Sequence, residues 1–226
     1  MNHTFSIAID GPAGAGKSTV ARALAKRLDA MYLDTGAMYR AFGLALTRMG
    51  VDVHAPEAVA AHINSVDIAV DYVNGGQRIS IGGEDVTEAV RTPEAAAAAS
   101  AVSAVPQVRA RMVALQQQIA RGQNVVMDGR DIGTVVLPDA TLKVYLTASA
   151  QERAKRRCRE LEEKGMSADY AQVLRDIEQR DWQDTHRAAS PLQVAEGAIV
   201  VDTSDLDLEG SIQALAELAR RAGIPQ

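Results

Sequence analysis

The chain has 226 residues, 47% of them hydrophobic, with 24 basic against 29 acidic residues and a net charge of -5; that fits one large α/β domain, or a core with a small inserted lobe, and excludes disordered and fibrous chains. The acidic balance argues against a protein that coats nucleic acid or anionic membrane, and a 4% share of aromatic residues with one Trp leaves no broad platform for stacking bases. The single cysteine, Cys158, excludes an intrachain disulfide framework and a cysteine zinc cluster, and makes a reducing, cytoplasmic home the expectation.

The first apolar run ends at Asp10, too early for a signal peptide or a membrane span, so neither export nor anchoring is expected. Five short apolar runs read as buried strands: Phe5 to Asp10, Met31 to Asp34, Val125 to Asp128, Leu142 to Thr147 and Ile199 to Asp202. Helical patterns fall between them, at residues 18–28, 38–50, 108–121, 151–164 and 208–222. Such alternation predicts a parallel sheet covered on both faces, with ligands at the carboxyl ends of the strands. Four of the five runs end in Asp. One such carboxylate is usually a turn or cap residue, but four beside an anion loop read as a site facing Mg²⁺ and sugar hydroxyls.

Residues 63–106 break the rhythm. Ile68 to Val73 and Gln77 to Ile81, joined by Asn74-Gly75-Gly76, predict a β-hairpin; Gly82-Gly83 makes another turn, and Pro93 to Val105 is an Ala-rich stretch. A small α+β insert is the simplest account. The Ala run by itself reads as a packed or solvated helix.

Gly11-Pro12-Ala13-Gly14-Ala15-Gly16-Lys17-Ser18, followed by Thr19, matches the phosphate-loop pattern G-x-x-x-x-G-K-S/T between a predicted strand and a predicted helix. Converging N–H donors and a helix N-terminus are what phosphate oxygens require. Lys17 then spans the β and γ phosphates, and the Ser18 hydroxyl is positioned for Mg²⁺. Such loops serve motors, switches, transporters and kinases alike, but the guanine-reading N-K-x-D of a signalling GTPase does not occur. Of the 24 basic residues 19 are Arg, whose planar fork suits phosphate. Base composition would explain that excess equally well, so only the positions of the arginines count.

Those positions lie in Asp34-Thr35-Gly36-Ala37-Met38-Tyr39-Arg40, in Asp128-Gly129-Arg130-Asp131-Ile132-Gly133-Thr134 and in Arg180-Asp181-Trp182-Gln183-Asp184-Thr185-His186-Arg187. With the phosphate loop and Arg91-Thr92-Pro93-Glu94, they resemble the bacterial cytidylate kinase family over nearly the whole chain. The resemblance implies a three-layer P-loop fold with a five-stranded parallel sheet. Residues 1–62, 107–150 and 184–226 would form the core, 63–106 a CMP-binding insert and 151–183 a helical lid. It implies transfer of the γ-phosphoryl group of ATP, with Mg²⁺, to CMP or dCMP, by a monomer with no nucleic-acid or membrane partner.

It also implies roles for individual residues. Gly11 through Thr19 would bind the donor. Arg40, Arg130 and Arg187 would clamp the acceptor phosphate, for which bidentate guanidinium binding is suited. Asp131 would accept from the cytosine amine while Arg109 donates to N3 and O2 and Ser100 adds a hydroxyl contact; Thr35 and Tyr39 would also line the acceptor. Arg180 and Asp184 would bind the sugar, although at i and i+4 they also make an ordinary helix pair. Arg153 and Arg157 would swing over the triphosphate from the lid, unless they belong to a solvated helix where Arg156 pairs with Glu160 and Arg159 with Glu163. Asp128 would order the metal's water shell. Two other readings stay open on the residues alone: a kinase of the same architecture for another small acceptor, such as shikimate or a different nucleoside monophosphate, and a non-enzymatic nucleotide switch.

Overall fold

A computed structural model of the chain describes residues 4–73, 75–163 and 165–225. In chain order its elements are β1 (Ser6–Asp10), α1 (Lys17–Arg27), β2 (Met31–Asp34), α2 (Thr35–Arg48), α3 (Pro56–Ala61), β3 (Ile68–Val73), β4 (Gly76–Ile81), the two-residue β5 (Glu84–Asp85), α4 (Pro93–Val102), α5 (Pro106–Ala120), β6 (Val125–Gly129), β7 (Leu142–Thr147), α6 (Ala150–Glu163), α7 (Tyr170–His186), β8 (Ile199–Asp202) and α8 (Leu208–Arg221). One sheet has five strands in the order β2-β6-β1-β7-β8; a second has three, in the order β3-β4-β5. The chain divides into two compact units, one taking residues up to Ala30 and from Gln123 onward, the other Met31–Gly122.

In the first unit β1 pairs in parallel with β6 and β7, and β7 with β8. Ile7, Ala8 and Ile9 are fully buried, as are Val125, Val126 and Met127 of β6, where Ile7 faces Val126 and Ala8 faces Met127. Strands covered on both faces read as continuous apolar runs rather than alternating ones, which is why these segments were legible. The register sets Asp10 opposite Gly129 of β6 and Tyr145 of β7, so the carboxyl ends of three strands finish together. The α/β, P-loop expectation holds.

In the second unit, α2 begins at Thr35, three residues before the apolar period predicts, because the Asp34 carboxylate accepts the Ala37 N–H at 2.9 Å and caps the helix. The hairpin forms as expected from β3 and β4; Asn74 of its expected turn lies outside the described residues, as does Lys164, the expected end of α6. The Ala-rich stretch is helix α4, capped by Thr92, and it buries Ala95, Ala98, Ala99 and Val102. A Cβ on Gly43 of α2 would sit 2.8 Å from Ala98 Cβ. Small residues are required there by helix-to-helix distance. Among the described residues no helix is long and apolar enough to cross a membrane.

Candidate active site

The phosphate loop follows β1 without slack. Gly11 has φ +146°, and a Cβ there would lie 2.0 Å from the Leu146 carbonyl oxygen of β7, so only glycine lets the loop leave the sheet at this point. Gly16, left-handed at φ 85°, precedes α1, whose first turn carries no acidic side chain; its positive end is left for an anion. Lys17 is buried, and its Nζ donates to the Pro12 carbonyl at 2.7 Å. Burial first, then the charge of Arg130, pushes its ammonium well below the ordinary 10.5, while Asp128, Asp10 and Asp184 pull the other way. An arriving phosphate would favour the charged form further.

Ser18 Oγ donates to Asp128 Oδ2 at 2.8 Å. A hydroxyl and a carboxylate oxygen are hard donors, and two such groups suit Mg²⁺, which keeps several of its waters. Among the described residues no cluster of three or more His, Cys, Asp or Glu could hold a metal by itself.

Arg130 and Asp131 from one segment and Asp184 and Arg187 from another, Arg130 lying 54 residues from Asp184 in the chain, form one network in the first unit. Arg130 Nε donates to Asp184 Oδ2 at 2.7 Å and its Nη1 to the Gly129 carbonyl at 3.2 Å. Arg187 lies 3.8 Å from Asp184 Oδ1 and 3.9 Å from Asp131 Oδ1, and its Nε donates to the Ser190 carbonyl at 2.6 Å. The charges of Arg130 and Asp184 both reach Lys17, which places this network beside the phosphate loop.

The two expected lid arginines part company. Arg153 is only 4% exposed; its Nε donates to the Ala148 carbonyl at 2.9 Å, and its Nη1 to the Ala13 carbonyl at 2.9 Å and to Asp181 Oδ1 at 3.1 Å. It therefore braces the phosphate loop against α6 and α7. Arg157 is solvent-facing and pairs with Glu160 at 3.0 Å. The expected i,i+4 pairs give way to others: Arg159 bonds Glu152 at 3.2 Å, and Arg156 reaches the Thr203 carbonyl.

The second unit carries the predicted residues Thr35, Tyr39, Arg40, Ser100 and Arg109. Arg40 Nη2 donates to Asp34 Oδ2 at 2.8 Å, while its buried Nε has no hydrogen-bond partner among the described residues. The Asp34 backbone is held from both sides by the Gln77 amide, whose Oε1 accepts at 2.7 Å and whose Nε2 donates at 3.3 Å. Arg109 is buried, donates to the Ser103 carbonyl at 3.2 Å, and holds its guanidinium carbon 5.5 Å from the centre of the Tyr39 ring. Ser100 is half-buried on α4, its carbonyl accepting from Ser103 Oγ at 3.0 Å, and Thr35 is buried at the start of α2.

The four strand-end aspartates do not act together. Asp128 alone meets the phosphate-loop hydroxyl; Asp34 caps α2 and holds Arg40, Asp10 accepts two backbone N–H groups, and the exposed Asp202 accepts from Ser204 at 2.6 and 2.9 Å. Short carboxylates at strand-to-loop junctions satisfy local N–H donors first. Sequence reasoning also passed over Asp181 and Gln77. Asp181 stands inside a quoted motif, but nothing local to Gln77 signals its role.

A model of the family described as cytidylate kinase matches residues 7–221. The cytidylate kinase of Caldicellulosiruptor bescii is 50% identical over 214 residues, 95% of each chain, and that of Mycolicibacterium paratuberculosis is 49% identical over 222 residues, 98% of this chain and 97% of the other. Among solved structures, an uncharacterised protein from Eubacterium ventriosum aligns over 96% of this chain and 99% of its own with a TM-score of 0.52 at 12% identity, a likeness of fold alone. Half identity sustained across both units cannot come from a shared phosphate loop by itself; the chain belongs to the cytidylate kinase family.

Proposed function

We propose that the protein transfers the γ-phosphoryl group of ATP to the 5′-phosphate of CMP or dCMP, giving CDP or dCDP and ADP. The observation that carries this reading is the network of Arg130, Asp131, Asp184 and Arg187, from which the charges of Arg130 and Asp184 reach Lys17, in a chain of this family. Phosphoryl transfer asks little covalent work of a protein, so positioning and charge stabilisation do most of it. Loop amides from Gly11 to Thr19 and the Lys17 ammonium hold the donor. Ser18, with Asp128 through water, would hold Mg²⁺, which when bound supplies positive charge to the β and γ phosphate oxygens.

Arg130, Arg187 and Arg40 clamp the acceptor phosphate; the Arg40 Nε, buried without a partner among the described residues, is a donor waiting for an anion. Asp131 accepts from the cytosine amine and turns away uracil, whose carbonyl at that place would face it acceptor to acceptor. Such a buried mismatch costs about 1–3 kcal/mol or more. Arg109 and Ser100 serve the other polar atoms of the base, Tyr39 and Thr35 support them, and Arg180 and Asp184 serve the sugar. Residues 63–106 act as the acceptor-binding insert and 151–183 as the lid, where Arg157 is the mobile arginine and Arg153 the brace. The protein works as a cytoplasmic monomer on small molecules; the single cysteine supports a reducing compartment, and the acidic balance argues against a nucleic-acid or anionic-membrane partner.

A coupled assay of ADP release with CMP, dCMP, UMP, AMP and shikimate as acceptors tests this. CMP and dCMP are expected to lead the panel. Lys17→Ala and Arg187→Ala should each lower kcat by about 10²-fold or more, and Asp131→Ala should chiefly narrow the preference for CMP over UMP. A different leading acceptor, or slow ATP hydrolysis indifferent to every acceptor, overturns the reading.

A further inference from the structure

Asp10 is buried, and beyond its charge reaching Lys17 the chemistry above gives it no role. Its two carboxylate oxygens are divided between consecutive amides: Oδ1 accepts the Ile132 N–H at 2.8 Å and Oδ2 the Gly133 N–H at 2.7 Å. These are the amides immediately after Asp131. The register of the sheet sets the Asp10 backbone opposite Gly129, the residue immediately before Arg130. Only Arg130 and Asp131 lie between the two anchored points. Asp10 itself cannot drift, because β6 and β7 flank it and the next residue, Gly11, is in close approach to the Leu146 carbonyl.

From this we infer that Asp10 is a positioning residue for acceptor recognition, its carboxylate fixing the two-residue span that presents Arg130 and Asp131. The inference rests on the acceptor roles proposed above for those two residues. The chemistry explains why a carboxylate stands here: two N–H donors converge on one side chain, and only an ionised acid offers an acceptor to each. The five-residue π turn that follows, Ile132–Val136, returns Leu137 N–H to the Ile132 carbonyl at 2.7 Å, so a displaced Ile132 carries the turn with it. Burial, joined by the charge of Asp131, holds the Asp10 carboxyl above the ordinary 3.8 against the two amide bonds and Lys17, which favour its ionised form.

Asp10→Asn keeps the volume but sets an NH₂ against one of the two N–H groups. The expected result is a rise of about tenfold or more in the KM for CMP and in its dissociation constant measured calorimetrically without ATP, together with a reduced preference for CMP over UMP and a smaller rise in the KM for ATP, since the Asp10 charge also reaches Lys17. If Asp10 were only structural, the variant would melt earlier and lose active fraction with both KM values and the CMP-to-UMP ratio intact, and that result overturns the inference. Gly133→Ala is the second probe. Its methyl group would lie 3.4 Å from Asp10 Oδ2 and 3.2 Å from Ala195 Cβ, crowding the same bonds with no change of charge. A smaller shift in the same direction supports the inference, and should Asp10→Asn fail to fold, an unchanged CMP constant in folded Gly133→Ala overturns it. Wild-type protein that neither binds nor phosphorylates CMP overturns the functional reading and this inference with it; normal wild-type behaviour beside an unaltered variant overturns the inference alone.

Discussion

Burial by itself would push the Asp184 carboxyl up, yet Arg130, bonded to it at 2.7 Å, together with Arg180 and Arg187, holds it below the ordinary 3.8. A carboxylate whose folded pKa lies below its unfolded value contributes stability that is complete above the unfolded value and is lost as pH falls through the folded one. Asp184→Asn removes that contribution and leaves Arg130 facing a neutral partner, an expected loss of about 1.5–3 kcal/mol at neutral pH. In thermal melts taken from pH 7 down to pH 2, the gap between wild type and variant should close on the acid side; a gap independent of pH would contradict the assignment. At this scale the sequence was informative about residue types and silent about partners. The spacing of Arg180 and Asp184 announces a shared helix face, but not that Arg130, 54 residues from Asp184, closes onto it.

Elements were legible where their cause is local. The five strands of the larger sheet lie within one residue of the predicted runs; in β1 and β6 the reason is burial on both faces, which is written as one contiguous apolar run, whereas β8 is an apolar run left largely exposed. The start of α2 was missed because a cap, not an apolar residue, begins it. The Ala run was ambiguous for a different reason, since its requirement for small side chains is imposed from α2. Gly43→Ala probes that packing. The new methyl would fall 2.8 Å from Ala98 Cβ and 3.0 Å from the Ala98 carbonyl carbon, an overpacking cost of about 1–3 kcal/mol set against a helix-propensity gain of about 1 kcal/mol. The net expectation is a lowered melting temperature; a raised one would show that α4 can move aside.

Across the molecule, remote contacts decide what the phosphate loop rests on. Arg153 joins α6 to Asp181 of α7 and to the Ala13 carbonyl of the loop, so the helical region proposed as the lid is tied to the donor site through a buried guanidinium. Asp181→Ala would leave that charge without its carboxylate. Breaking a buried ion pair costs about 3–5 kcal/mol, and since the Asp181 side chain keeps 26% of its exposure, the lower end of that range is expected in chemical denaturation. The KM for ATP should rise with it as the loop loses its brace; an unchanged KM would make the pair a fold contact only. Trp182, the single tryptophan, is exposed on α7 and stacked on His186 with ring centres 4.7 Å apart, so its fluorescence reports on this helix in the same samples.

By itself the sequence determined the phosphate loop and the strands around it, because a P-loop and a buried parallel strand are each encoded within a few consecutive residues. Only the tertiary structure decided which charged side chains serve as brace, cap or clamp. Arg153 reaches Asp181 across 28 residues, and Asp10 reaches Ile132 across 122. A buried charge takes the partner that the folded backbone delivers, and no local pattern records which one that will be.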